Sequence, residues 1–208
     1  MKRRIVFLFC AVVTVMLFSG PAAEAQTSNY AVLKAGAYFP NSGDLNGFNT
    51  GFNGEVAFGH YFNKNFAGEL GLGYFQSSGN GSASGSGYTA TANGDIYSVP
   101  LTIALKAIYP MEKWEFYALG GTGAYYCNAS VNGSITRGIF TFVGSESKNT
   151  VTWGGFLGAG ANVNIDQNWF IGLEGKYLWA KPQFTFVGQN IDVSFDGWIV
   201  TGNLGFRF

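Results

Sequence analysis

The strongest constraint on this sequence is an alternation, with a period of two, between apolar residues and small or polar ones. In the last segment Trp198, Val200 and Phe206 occupy one set of alternate positions, while Asn203 and Arg207 occupy the other. Successive side chains of a β-strand point to opposite faces, so this pattern predicts strands. It recurs in eight segments, at about 29–39, 50–62, 66–76, 95–109, 114–131, 149–165, 169–179 and 198–208. The sequence therefore predicts an all-β protein of eight antiparallel strands.

The connections between the predicted strands alternate between short and long. Three are tight turns, at 63–65, 110–113 and 166–168, and four are long, at 40–49, 77–94, 132–148 and 182–193. This alternation is typical of transmembrane barrels, which have short periplasmic turns and long extracellular loops. We expect loop 77–94 to be flexible, because ten of its 18 residues are Gly or Ser. Phenylalanines in the two later long loops indicate strand extensions, hairpin packing or a surface for adhesion or ligand contact; they are Phe140, Phe142, Phe184 and Phe186.

Composition favours a β protein with an unusually apolar exterior. Of 208 residues, 31 are Gly, 17% are aromatic and 12% are charged. A disordered chain would have few aromatic residues, and helix interiors do not tolerate this much glycine. After the N-terminal segment, no stretch reaches the roughly 18 apolar residues of a spanning helix. The 12 basic and 12 acidic residues cancel, and no basic run follows residue 4, so nucleic acid is not an expected partner.

The N-terminus has the pattern of a secretory signal peptide. Residues 1–4 include three basic side chains, at 2–4, residues 5–18 are apolar or neutral, and Ala23-Glu24-Ala25 forms a cleavage site. A transmembrane anchor is the alternative, but the stretch is shorter than about 20 residues and ends at a Gly-Pro break. We therefore expect a signal peptide at 1–25 and a barrel domain at 26–208. Cleavage would leave Cys127 as the only cysteine, so no intrachain disulfide is expected.

Charged residues of the predicted strands share the face opposite the aromatic one. In a soluble barrel with an aromatic core, these charges would simply face water. Here, however, aromatic residues lie at both ends of the oily rows, 10 or 12 residues apart. Ten residues in a strand tilted by about 40° span about 26 Å, close to the ~25 Å apolar band of a membrane barrel. We therefore expect a lumen charge network of Lys34, Glu55, Glu69, Lys106, Glu115, Glu174, Lys176 and Arg207, and an aromatic girdle of Trp114, Trp153, Trp169, Trp179 and Trp198.

Short aromatic and glycine motifs occur in order along about 180 residues of the chain. They are Leu33-Lys34-Ala35-Gly36 with Phe39-Pro40, the segments 66–71, 117–125, 158–162 and 168–177, and the ending Gly205-Phe206-Arg207-Phe208. With them the chain resembles the small eight-stranded outer-membrane barrels, the group of the OmpA membrane domain, OmpX, the opacity porins and OmpW. The resemblance implies that Phe208 is the signal read by the barrel assembly machinery. The segment Val99-Pro100-Leu101-Thr102 is similar to OmpW, which implies passage of small hydrophobic molecules, although the eight lumen charges depart from a hydrophobic interior.

The interior of an eight-stranded barrel is just wide enough to be filled by its own side chains. We expect Glu69 and Lys106 to lie at equal heights on neighbouring strands, with Glu115 on the next strand, and Lys34 and Glu55 to be neighbours. Paired charges of this kind predict a plugged lumen. The alternative is a narrow ion path lined by the same groups.

Catalysis is not expected, and neither is a cofactor or a metal site. Nucleophilic catalysis of the Ser-His-acid kind needs a positioned base, and His60, the one histidine, falls near a short turn on the lipid-facing set of positions. We interpret it as a member of the interfacial aromatic belt.

These observations predict a monomeric β-barrel of the bacterial outer membrane, porin-like or structural, with a charge-plugged or narrow lumen. Its expected partners are outer-membrane lipid and the barrel assembly machinery, with small solutes or a surface ligand left open. Two alternatives remain: an OmpW-like channel for small hydrophobic molecules, and surface recognition or adhesion through the extracellular loops.

Overall fold

A computed structural model describes residues 29–85, 88–137, 140–186 and 189–208. The expected signal peptide, 1–25, lies outside the described residues. Among the described residues, no helix is long and apolar enough to cross a membrane.

Nearly all of the described chain is strand. The strands are β1 (Asn29–Pro40), β2 (Gly51–Asn63), β3 (Phe66–Gly85), β4 (Tyr88–Met111), β5 (Trp114–Arg137), β6 (Phe140–Asn164), β7 (Trp169–Ala180), β8 (Gln183–Phe186), β9 (Gln189–Asp192) and β10 (Gly197–Arg207). A short 3-10 helix, Gly43–Leu45, lies between β1 and β2. Eight of the described strands form a closed antiparallel barrel in the order β1-β10-β7-β6-β5-β4-β3-β2, and β8 and β9 form a separate hairpin. The predicted eight-stranded antiparallel barrel is confirmed.

The barrel closes between its first and last strands. The β1–β10 ladder runs from Tyr30 opposite Arg207 to Pro40 opposite Gly197. Beyond it, the backbones of Asn29 and Phe208 exchange two hydrogen bonds, of 3.3 and 2.9 Å. Closure pairs the edge strands with each other, so the wall needs no water to satisfy its backbone groups.

Four strands are much longer than the sequence predicts. β3 and β4 pair without a break from Phe75 opposite Ser98 to Gly85 opposite Tyr88, and β5 and β6 pair as far as Arg137 opposite Phe140. The segments 77–94 and 132–148, expected as loops, are therefore largely strand, and at 132–148 the structure has the strand extensions that Phe140 and Phe142 indicated. Glycine and serine lower strand propensity, but here each segment has a hydrogen-bonded neighbour along its whole length.

The two remaining long connections contain local structure. The connection at 40–49 holds the 3-10 helix, and Phe48 forms an isolated bridge with Gly79 of β3. The connection at 182–193, predicted as a loop, contains the β8–β9 hairpin. We call this end of the barrel the long-loop end, and the opposite end, with its tight turns, the short-turn end.

The two faces of the barrel wall differ as the alternation predicts. Large apolar side chains such as Leu33, Ile103 and Leu173 are exposed on the exterior, while their neighbours along the strands are buried inside. All five tryptophans of the predicted girdle are exposed, Trp114, Trp153, Trp169, Trp179 and Trp198. An exterior this apolar is suited to lipid rather than to water.

Glycines in the wall make room for the larger lumen side chains. The Tyr30 ring lies against Gly59, and the Phe170 ring lies against Gly205. A Cβ at either glycine would overlap the ring, so a narrow lumen can hold these aromatics only where the facing residue lacks a side chain. Part of the high glycine content therefore reflects lumen packing.

Candidate functional site in the barrel lumen

Lys34 is the centre of a cluster of buried charges inside the barrel. Its Nζ lies 2.5 Å from Glu69 Oε1, 3.0 Å from Glu55 Oε1 and 3.2 Å from Glu174 Oε2. The ladder brings Glu55 directly opposite Lys34, whereas Glu69 and Glu174 reach it from β3 and β7. Strands from different sides of the lumen thus converge on one ammonium group.

Two further lysines balance the three carboxylates. Lys106 Nζ lies 2.5 Å from Glu69, and Lys176 Nζ lies 2.6 Å from Glu55. We call the resulting set the charged layer; its members are Lys34, Glu55, Glu69, Lys106, Glu174 and Lys176. Every member is at most 7% exposed, and the three positive and three negative charges cancel. Burying an ion is costly unless it is paired and hydrogen-bonded, and this layer meets both conditions.

Aromatic hydroxyls complete the hydrogen bonding of the charged layer. Tyr30 donates to Glu69 and Tyr117 donates to Glu174, each over 3.0 Å. The Lys106 ammonium lies 4.5 Å from the centre of the Tyr117 ring, a cation–π contact. Sequence reasoning missed both tyrosines, although each occupies a lumen-facing position in the period-two pattern.

Glu115 and Arg207 form a separate pair at the short-turn end. Arg207 lies 3.0 Å from Glu115 and donates to Asn164 Oδ1 over 2.8 Å. Glu115 was expected one strand beyond Lys106 in the same group, but the ladder places Glu115 opposite Pro110 and Lys106 opposite Leu119. The eight charges predicted as one network are thus divided into a group of six and a pair, because Glu115 lies four residues nearer than Lys106 to the turn between β4 and β5. The expected equal height of Glu69 and Lys106 was also wrong, since the ladder pairs Lys106 with Ala67 and Glu69 with Ala104, although their side chains still meet.

An apolar layer fills the lumen at the long-loop end. We call it the aromatic layer; its members are Tyr38, Leu45, Phe75, Ile96, Tyr125, Cys127, Ala129, Leu178, Ala180, Phe184, Phe195 and Ile199. The rings of Tyr38 and Phe75 are 4.7 Å apart, and the Tyr38 hydroxyl donates to the backbone of Phe195. The sequence did not predict this layer, because Leu45, Phe184 and Phe195 lie outside the barrel strands, where no period marks which side chains turn inward.

Hydrogen bonds join the two connections that contribute to the aromatic layer. Ser194 N donates to Asp44 Oδ2 over 2.9 Å, and Ser42 Oγ donates to Ser194 O over 2.6 Å. Asp196 accepts from Ala180 N at the end of β7. These contacts hold the 3-10 helix and the segment before β10 across the mouth of the barrel.

A small cavity separates the two layers. It is lined by Glu55 and Lys176 on one side and by apolar side chains such as Phe75 and Tyr125 on the other, and it is about large enough for one water molecule. Asn53 also lines it, and the Asn53 Nδ2 group is buried without a hydrogen-bond partner.

The wall beside this cavity is interrupted. The β3–β4 ladder pairs Leu72 with Leu101 and then resumes at Phe75 opposite Ser98. Pro100, which lies in the gap, has no backbone N–H to donate, and its ring packs near Gly73. Thr102 and Pro100 both line the cavity.

The one histidine contacts no member of the charged layer or the aromatic layer among the contacts of its ring described next. His60 Nδ1 is 2.9 Å from Asn29 Oδ1, and its ring packs edge-on against Phe62. In the part of the chain that the structure describes, no group of three or more His, Cys, Asp or Glu side chains could hold a metal ion.

A closed eight-stranded antiparallel barrel with an apolar exterior and a charged lumen defines a transmembrane β-barrel of the bacterial outer membrane. The family comparison agrees with this class. A family model described as an outer membrane protein beta-barrel domain matches residues 9–208, so the chain belongs to that family. The predicted localisation is confirmed, and the short-turn end is the periplasmic one. The family consists mainly of barrels that are not enzymes.

Several solved structures are similar to this chain. The outer membrane protein OprG from Pseudomonas aeruginosa has a TM-score of 0.55 and 14% identity, covering 88% of this chain and 96% of that one. Neisserial surface protein A has a TM-score of 0.52 and 14% identity, covering 86% and 97%. The E. coli outer membrane protein W has a TM-score of 0.45 and 15% identity, covering 89% and 100%. Identities this low show the fold alone, and no curated protein matches the chain.

Proposed function

We propose that this protein is a structural component of the outer membrane whose lumen is closed to ions. The observation that carries the proposal is the charged layer, in which Lys34 contacts three glutamates from different strands. The side chains of an eight-stranded barrel can fill its interior completely, and here opposite charges meet across it. The aromatic layer closes the same lumen a second time at the extracellular end.

Planar-bilayer recording of the folded barrel tests this proposal. We expect no steady conductance from the wild type, and intermittent conductance from Lys106→Ala, which removes the partner 2.5 Å from Glu69. Lys148→Ala is the matched control, because Lys148 lies on the extracellular part of β6, where its exposed side chain pairs with Glu146. Heat-modifiable gel mobility shows that each variant is folded before recording. Steady ohmic conductance of the wild type would overturn the closed lumen.

Passage of small hydrophobic molecules through the wall is a second candidate function. It is favoured by the interruption of the β3–β4 ladder at Pro100, next to the cavity between the layers. The resemblance to OmpW implies the same activity. Against it, the cavity is about the size of one water molecule, so passage would require the wall to open.

Transfer of a hydrophobic fluorescent probe into barrel-containing liposomes separates the two candidates. If the barrel is closed, the rate of probe transfer should equal that measured with liposomes that contain no barrel. A faster rate that Pro100→Val slows, by restoring a backbone N–H to the ladder, would instead establish the conduit. Pro110→Val is the control, because Pro110 is an exposed residue near the other end of β4.

The proposal also covers how the protein is exported and assembled. We infer that residues 1–25 are removed as a signal peptide, which an intact mass beginning at Gln26 would establish. We also infer that Phe208 is read by the barrel assembly machinery and that the barrel is a monomer. Phe208 is exposed, and its ring lies 6.4 Å from that of Phe206 on the outer face of β10. The proposed role is non-catalytic.

Phe208→Ala tests the assembly inference. The variant should accumulate less in the outer membrane while refolding normally from urea into detergent, since the exposed ring is not part of the lumen. Phe206→Ala, two residues earlier on the same face, is the control. Equal outer-membrane levels for wild type and Phe208→Ala would remove this role.

A further inference from the structure

Beyond the membrane barrel, β3 to β6 continue as a four-stranded sheet whose outer face is an array of hydrogen-bonding side chains. Four rows of opposed residues make up this outer polar array: Gln76, Tyr97, Asn128 and Asn149; Ser78, Asp95, Ser130 and Ser147; Asn80, Asn93, Asn132 and Ser145; Ser82, Thr91, Ser134 and Val143. Thirteen of these sixteen residues are Ser, Thr, Asn or Gln, and none is buried. One is charged, Asp95.

The opposite face of the same sheet has a different chemistry. Three rows of opposed residues lie between the array positions, and most of their members are Gly, Ala, Val or Ile, as in the row Gly81, Ala92, Gly133 and Gly144. The polar members of these rows are Ser77, Glu146 and Lys148. Strand propensity and turn chemistry act on both faces alike. They therefore do not explain why the amides and hydroxyls are collected on one of them.

Neighbouring side chains in the array hold one another in position. Thr91 Oγ1 lies 2.8 Å from Ser134 Oγ, and Ser130 Oγ lies 3.0 Å from Ser147 Oγ. Ser145 Oγ donates to Asn132 over 2.6 Å. Rows repeat about every 6.8 Å along the strands and residues about every 4.8 Å across them, which gives a regular lattice of donors and acceptors.

The array is continuous with the lipid-facing exterior. Tyr126, exposed on the same face of β5, accepts a 2.8 Å hydrogen bond from Asn149 of the first row. Tyr74 and Tyr97 stack at 6.1 Å beside it. Tyrosines of this kind mark the membrane interface, so the array begins where the acyl chains end. It extends about 20 Å along the seven residues 128–134 of β5.

We propose that the outer polar array is a docking surface for the neutral sugars of the glycolipid in the surrounding outer leaflet. Amide and hydroxyl side chains match sugar hydroxyls as both donors and acceptors, and the exposed tyrosine rings offer faces for sugar C–H groups. The single charge, Asp95, is negative, so the surface does not select phosphate. The array lies at the level of the saccharide that such a lipid projects from the membrane. The inference does not depend on whether the lumen conducts.

Glycolipid titration of the refolded barrel in mixed micelles tests the proposal. The outer-face variant Asn93→Ala/Ser130→Ala/Asn132→Ala removes three neutral hydrogen-bonding groups, and we expect about tenfold weaker binding of lipopolysaccharide with an intact core oligosaccharide. The matched control is Ala92→Ser/Val131→Ala on the other face of the same two strands, which should bind as the wild type does. Folding of each variant is verified by heat-modifiable gel mobility.

Two comparison probes identify the partner. Lipid A, which lacks the core oligosaccharide, should bind wild type and outer-face variant equally, because its contacts lie in the membrane. Unchanged affinity of the outer-face variant for the intact glycolipid would overturn the proposal. So would an equal loss of affinity for lipid A alone, which would assign the contact to the membrane anchor of the glycolipid. Loss of self-association in place of glycolipid binding would make the array an interface between copies of this chain.

Discussion

The charged layer and the aromatic layer fill the same lumen by different means. All six members of the charged layer lie on barrel strands, whose ladders fix their positions. The aromatic layer draws Leu45, Phe184 and Phe195 from outside the barrel strands, from connections held by hydrogen bonds such as Ser42 to Ser194. The charged layer is therefore built entirely from the strands of the wall, whereas the aromatic layer is partly a cover formed by the connections over the lumen.

This difference has energetic consequences. In the charged layer, each ion is tolerated only because its partners are present, so removal of one leaves others uncompensated. In the aromatic layer, each side chain contributes its own apolar contacts, and loss of one leaves a cavity whose cost depends on local collapse. We therefore expect perturbations to propagate through the charged layer and to remain local in the aromatic one.

The largest effect should come from Lys34→Ala. Removal of the buried ammonium leaves Glu55, Glu69 and Glu174 with two lysines between them, and breaking a buried ion pair costs about 3–5 kcal/mol. The free energy of unfolding in urea, measured in phospholipid vesicles, should fall by that amount. Lys148→Ala removes an exposed pair with Glu146 and should cost no more than about 1 kcal/mol. Similar losses for both variants would show that the charged layer does not behave as a unit.

Leu45→Ala should have a smaller and more local effect. Leu45 is 4% exposed and is contributed by the 3-10 helix, so its truncation leaves a cavity that the connection, which is not part of a barrel ladder, can partly fill by collapse. We expect about 2 kcal/mol, at the low end for a buried leucine. Hydrogen exchange should accelerate in 41–50 and 189–196 but not in β1. Faster exchange throughout the barrel would contradict the view of this layer as a cover.

Glu115→Gln should have a smaller effect still. Arg207 keeps its hydrogen bond to Asn164, and the pair lies near the periplasmic mouth, where water can compensate the lost charge. We expect a loss of about 1 kcal/mol. Glu112→Gln, in the exposed turn after β4, should be neutral. A loss as large as that of Lys34→Ala would place Glu115 within the charged layer after all.

The sequence was sufficient to predict the strands of the barrel wall, but not which lumen side chains contact one another. Period two assigns each strand residue to a face, so lumen-facing residues such as Lys34 and Glu174 can be identified one strand at a time. Which of them touch depends on the stagger between strands, and this stagger separated Glu115 from Lys106.

The extracellular strands were missed for a different reason. Glycine and serine at 77–94 suggested a loop, yet Ser78, Asn80 and Ser82 alternate with Gly79 and Gly81 in the same period-two pattern. Composition therefore concealed a pattern that was present. Leu45 and Phe195 had no such signal, because a connection outside a strand has no regular direction for its side chains.

The smallest effect we predict concerns Asp166, an exposed charge in the turn between β6 and β7, outside both layers. The backbone N–H groups of Trp169 and Asn168 each donate to its carboxylate over 2.7 Å and lower its pKa. A pKa lowered by folding contributes stability above the unfolded value, about 3.9, and this contribution is lost as the pH falls through the lower folded value. The stability difference between wild type and Asp166→Ala should therefore be present at pH 7 and shrink below about pH 4. A difference that grows with acidity would show that the turn hydrogen bonds do not favour the ionised carboxylate.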